Sequence, residues 1–162
     1  MHQVRLAILI AVTLTFGIAA VAYAPYHTQP TPPPSPTPPP SPSAPSGMSI
    51  VRTQAKIAAT HAGFAAGSGT VSSAREHLGH AIACIEGSKG RNVKPQWMNP
   101  CTGNGNGLMV DLRRIRASAS LIQTAQEADA TAVAAMKSSD LTQLKSSARR
   151  VAQLINRIAT AK

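Results

Sequence analysis

From Ser49 onward, apolar residues recur at steps of three and four, the period of a helix that buries one face. The first stretch, residues 49–66, aligns Ile50, Ile57 and Phe64, with His61 on the same side; Gly67 and Gly69 end it. The second, residues 70–86, aligns Val71, Ala74, Leu78, Ile82 and Ile85. Ser73 and Glu76 have capping-box spacing, but Val71 fits the stripe, so Thr70 is the alternative cap. Gly87 supplies the left-handed residue that closes this stretch. The third, residues 108–137, runs through Leu108, Leu112, Ile115, Ala119, Ile122, Ala125, Ala128 and Ala132. After a turn at Ser138-Ser139, Asp140 and Gln143 give a D-x-x-Q start to the fourth stretch. That stretch places Leu141, Leu144, Ala148, Val151, Ile155 and Ile158 on one seam. Four amphipathic helices with two short turns and one long loop predict an all-α fold, an up-down-up-down four-helix bundle over residues 48–162.

The residues before this domain follow a different pattern. Residues 6–24 carry no charge, follow a single Arg5, and contain the small-residue sequence Ala20-Val21-Ala22. This reads as a secretory signal peptide over 1–24. An uncleaved anchor in an inner membrane fits as well, since nineteen residues at about 1.5 Å each span roughly one hydrocarbon core. Either way the rest of the chain is expected outside the cytoplasm, in the periplasm or at the cell surface. Residues 25–47 hold most of the chain's 13 prolines, in a near repeat of PTPPPSP and TPPPSP. Proline fixes φ and removes a donor, so an extended polyproline II linker is expected there.

Composition narrows the rest. Ala dominates, aromatic residues make up 3%, and β-branched runs are missing, which argues against a sandwich or barrel. Small core residues bury little area each, so a covalent staple matters more than in a Leu-rich bundle. Cys84 and Cys101 are the chain's two cysteines, and in an exported protein they read first as a disulfide. The bridge would close a loop of roughly 15–18 residues, for which chain entropy predicts about 3 kcal/mol. It would pin the loop GSKGRNVKPQWMNPCTGNGNG, whose Trp97 and Met98 are expected to fold back over one end of the bundle. The GNGNG run leads straight into the third stretch. It lacks the Lys-Ser/Thr of a phosphate loop and the carboxylates of a calcium loop, and reads as a turn.

Candidate chemistry is sparse. At 100° per residue, His77, His80 and Cys84 lie within roughly a 60° arc of the second helix, flanking its apolar seam. His61 could face them across the short turn. Neutral imidazole suits Cu, Ni or Zn, and a free thiolate would favour Zn or Cu(I). If the disulfide forms, Cys84 is unavailable and only the histidines remain. Glu76-His77-Leu78-Gly79-His80 is not the HExxH of a zinc protease, and C-x-x-C-H is absent. The six acids are scattered, so no paired groups for acid–base catalysis stand out and no enzyme is expected.

The chain carries a formal charge of +10. Arg113, Arg114 and Arg116 cluster in the third stretch, and Arg149 and Arg150 in the fourth. A basic face built from them would take an anionic envelope component, such as lipid headgroups or polysaccharide, or another envelope protein. Nucleic acid is not expected, because stacking aromatics are scarce and no reading motif is present.

The segments HLGHAIACIEG and NPCTGNGNGLMVDL together resemble a group of uncharacterised exported bacterial helical proteins with an H-L-x-H…C…G…N-P-C-x-G-x-G-x-G core. The residues carrying it are His77, Leu78, His80, Cys84, Gly87, Asn99, Pro100, Cys101, Gly103, Gly105 and Gly107. The resemblance covers about 35 residues. It implies that the His–Cys helix and the NPC loop form one unit, and it imports no mechanism. The sequence alone therefore favours a non-enzymatic envelope interaction module with a basic face. The alternative is a periplasmic transition-metal-binding protein using the second-helix histidines. A similarity to small His-rich metal-binding helical proteins supports the alternative, though this domain has fewer histidines. No cofactor is required under the first reading; Cu, Ni or Zn belongs to the second.

Overall fold

A computed structural model describes residues 46–162. The predicted targeting segment and nearly all of the Pro-rich tract lie outside the described residues. Five helices follow one another: α1 (Gly47–Gly67), α2 (Val71–Glu86), α3 (Leu108–Arg114), α4 (Ala119–Ala135) and α5 (Leu141–Ala159). No strand occurs among the described residues, and the all-α expectation holds there.

The caps explain where each helix starts. A side-chain oxygen can satisfy one of the first free N–H groups of a helix. Ser46 does so for α1, Thr70 for α2, Ser118 for α4 and Asp140 for α5. Thr70, and not Ser73, is the cap of α2: its hydroxyl accepts from the backbone of Ser73 at 3.2 Å. Asp140 takes both Thr142 N–H and Gln143 N–H.

The expected third stretch is two helices. Arg116 has φ +54°, and the Ala117 N–H bonds back to the Leu112 carbonyl. This is a Schellman-type stop with an arginine in the position glycine usually takes. Ser118 then caps α4. The apolar period ran through the break because Ile115 and Ile122 stay half-buried on either side of it.

The core is built mainly from α1, α2, α4 and α5. Helix α5 packs against α1 and α4, and α1 also packs against α2. Helix α5 buries Leu144, Ala148, Val151, Leu154, Ile155 and Ile158, nearly the seam its sequence predicts. Helix α1 does not bury the predicted face. Its core side is Val51, Ala55, Ala58, Ala59, Ala62 and Ala65, while Ile50 and Ile57 are half-buried and Phe64 is 52% exposed. Large side chains set the predicted stripe, but a helix wedged between two neighbours is held closest where its residues are smallest.

Cys84 and Cys101 form the expected disulfide, with Cα atoms 5.2 Å apart. Both are buried, so the bridge fixes the long loop to the last turn of α2. Beyond it, Gly103, Gly105 and Gly107 all have positive φ. At Gly107 an added Cβ would come within 2.7 Å of the Glu86 carbonyl, which is why the chain can cross the end of α2 there. Buried Asp111 ties this turn down, accepting from Gln54 Nε2 at 2.7 Å and from the Asn106 N–H at 2.8 Å. Trp97 does not cover a bundle end. It lies on Gly79 in the middle of α2, where a Cβ would come within 2.4 Å of the indole. Met98 is 78% exposed and covers nothing.

Candidate metal centre

The α1–α2 connection is only Ser68, Gly69 and Thr70. Ser68 Oγ donates to the Phe64 carbonyl at 2.9 Å and lies 3.2 Å from Ser73 Oγ, which closes the turn tightly. So short a turn lays the last turns of α1 beside the first turns of α2. His61 therefore meets His77 and His80, which stand one turn apart on α2.

One ring nitrogen from each of the three histidines lies within 4.8 Å of the other two. The ring centroids are 4.9 Å apart for His61–His80 and 5.9 Å for both His61–His77 and His77–His80. All three side chains are half-buried. Nδ1 of each is buried and has no hydrogen-bond partner. A buried polar atom without a partner carries a free-energy cost of about 1–3 kcal/mol, so three together are an unmet demand. Phe64 borders the cluster, its ring edge-on to His61 at 5.7 Å and tilted to His77 at 5.4 Å.

The electrostatics favour neutral rings. His61 is held below the ordinary histidine range by burial first and then by the charges of His80 and His77. His80 is also lowered by burial and by His77, against an opposing pull from Glu76. A neutral imidazole has a free lone pair and can ligate a metal; an imidazolium cannot. At His61 and His80 the crowding that repels protons would therefore leave ring nitrogens free for a cation. Cys84 is not part of this set, because it is in the disulfide.

The residues of the predicted basic face lie on two helices and beside one of them. Arg113, Arg114 and Arg116 are exposed at the end of α3, and Arg149 and Arg150 are exposed on α5. Helix α4 packs on both α3 and α5. Arg150 is paired with Glu127 at 2.6 Å. Sequence reasoning missed Phe64 as a wall of the histidine cluster; its spacing of three residues from His61 was the available signal.

No protein-family model matches the chain, and no curated protein or solved structure matches it either. What the site can do rests on its own chemistry. Three imidazoles form a donor set suited to Cu(II), Ni(II) or Zn(II).

Proposed function

We propose that this chain is an exported metal-binding protein that holds one divalent transition-metal ion through His61, His77 and His80. The observation that carries the reading is the convergence of the three histidines, with three buried Nδ1 atoms that nothing in the protein satisfies. Ligands at about 2.0–2.1 Å from a tetrahedral ion stand roughly 3.3 Å from one another, and one nitrogen of each histidine already lies within 4.8 Å of the other two. Small rotations of the rings would close the set. Cu(II) should bind most tightly, following the general order of divalent affinities.

In this reading the domain is a binding module and not an enzyme. Its four long helices form an up-down-up-down bundle, with α3 as a short crossing piece. Contacts near the helix ends support that arrangement: Arg52 in the first turns of α1 donates to the Ala161 carbonyl just past α5, and Arg75 in the first turns of α2 donates to the Ser138 carbonyl just past α4. The disulfide supports an oxidising compartment. No described helix is long and apolar enough to cross a membrane.

The test is a titration of the oxidised protein with Cu(II), Ni(II) and Zn(II), beside a His77→Ala/His80→Ala double variant. Trp97 is the chain's only tryptophan and packs on Gly79, next to His80, so its fluorescence is a built-in reporter. Binding at one ion per chain, lost in the variant while helicity is kept, is the expected result. Binding that is absent, or equal in both proteins, would refute the site.

A further inference from the structure

A second feature lies away from the histidines, where α2 ends. A cleft of about 840 Å³ opens between the end of α2, the loop after it, α3 and α4. Its volume is in the range of small-molecule sites, roughly 300–1,000 Å³. Met109, Val110, Ala130 and Val133 give it an apolar wall. Three cations reach it from three separate elements: Arg91 from the loop, Arg113 from α3, and Lys137 from just beyond α4. None of them is ion-paired; among the described residues the one salt bridge is Arg150–Glu127. Cationic side chains that line a cleft with no carboxylate at salt-bridge distance keep donors free for an acceptor.

Two acids also line the cleft, Glu86 and Asp129, each only 8% exposed. They play different parts. Glu86 is held within the protein, accepting the Asn92 N–H at 2.9 Å and the Asn92 side-chain amide. Asp129 has a buried Oδ1 that no N–H or O–H group reaches. Its carboxyl is beside that of Glu86, and two carboxyl groups can hydrogen-bond only through a proton between them.

We infer that this cleft is a binding site for a small organic anion carrying a compact apolar group. The anionic end would meet Arg91, Arg113 and Lys137, and the apolar part would lie on Met109, Val110 and Val133. Neither the histidine cluster nor a metal ion takes part.

The site is also proton-linked. Asp129 is pushed up to about 7, chiefly by burial and then by the neighbouring Glu86 charge and hydrogen bond, against an opposing pull from Arg91. The charged groups facing it are Glu86 from α2, Arg91 from the loop, Arg113 from α3 and Lys137 beyond α4. Below that pH the lining presents three cations against one anion, with the Asp129 proton held against Glu86. Above it a second negative charge enters the floor of the cleft. Anion binding should therefore weaken as pH rises through about 7.

The probe is 1-naphthalenesulfonate, whose charge is fixed across this range, titrated into the oxidised full-length protein by calorimetry at pH 5.5 and 8.5. The expected result is saturable 1:1 binding that is tighter at pH 5.5. Inorganic sulfate should bind at least roughly tenfold more weakly, because it lacks the apolar part. An Arg113→Ala/Lys137→Ala variant should lose roughly tenfold or more in affinity. An Arg149→Ala/Arg157→Ala variant removes the same charge from α5 and should bind as the parent does. Asp129→Asn should keep binding and lose its pH dependence. Circular dichroism of each variant separates loss of the site from loss of the fold. The inference is overturned if no saturable binding occurs, if sulfate alone binds equally well, or if the α5 variant loses as much as the cleft variant. Survival of the pH dependence in Asp129→Asn would overturn the proton link.

Discussion

Helices α1 and α5 pack against each other, yet they meet that interface with opposite materials. Helix α5 brings Leu144, Val151, Leu154, Ile155 and Ile158, all at most 1% exposed. Helix α1 brings Val51 and a row of alanines, and turns its one phenylalanine outward. The difference teaches that a buried face is defined by the distance at which helices approach, and not by the size of the residues along it. Large side chains on α5 supply most of the apolar area. Small ones on α1 let three helices close around it.

The comparison can be broken by exchanging the materials. Ile155→Ala on α5 should have the largest effect, a loss of about 2–5 kcal/mol in unfolding free energy, because it leaves a cavity in a buried layer. Urea unfolding followed by circular dichroism measures it. Ala58→Leu on α1 should cost about 1–3 kcal/mol through overpacking. If that variant is as stable as the parent, α1 is not the close-packed partner described here.

Acid should act on α1 and α2 through the histidines. The folded-state values of His61 and His80 lie below the ordinary 6.5, so the unfolded chain takes up protons first as pH falls. Stability contributed by these rings is therefore present above about 6.5 and declines as pH falls below it. A parent protein should lose midpoint stability between pH 7 and 5 more steeply than His61→Gln. Asp129 acts with the opposite sign. Its raised value means the folded state keeps a proton that the unfolded chain releases, so its contribution falls as pH rises from about 4 to about 7. Asp129→Asn should flatten that part of the profile.

The smallest effect is expected at Phe64. It lies outside the core, and Phe64→Ala should change stability by no more than about 0.5 kcal/mol. A loss as large as that of Ile155→Ala would mean that the predicted stripe, and not the alanine face, is the buried one.

Much of the helical framework was legible along the chain. The cap at Asp140, the glycine stop at Gly87 and the α5 seam are local features, and each appears where the sequence places it. The break after Arg114 was not legible. Its stop uses Arg116 where a glycine would have announced it, and Ser118 resembles its serine-rich neighbours. The disulfide partners were legible by count alone, since only two cysteines exist. The histidine cluster was legible as a possibility: His77 and His80 share a helix face by spacing, and the expectation that His61 faces them across a short turn depended on the three-residue connection that brings α1 alongside α2.

The sequence by itself thus determined the helical character of the domain, the α5 seam, the cap at Asp140, the stop at Gly87, the bridge and the shared face of His77 and His80, because these depend on periodicity, on single-residue chemistry and on counting. Only the tertiary structure decided which face of α1 is buried, where Trp97 rests, and that Glu86, Arg91, Arg113, Asp129 and Lys137 line one cleft. Those outcomes depend on how closely whole helices approach and on which distant residues that approach brings together. No periodicity within a single helix encodes such distances.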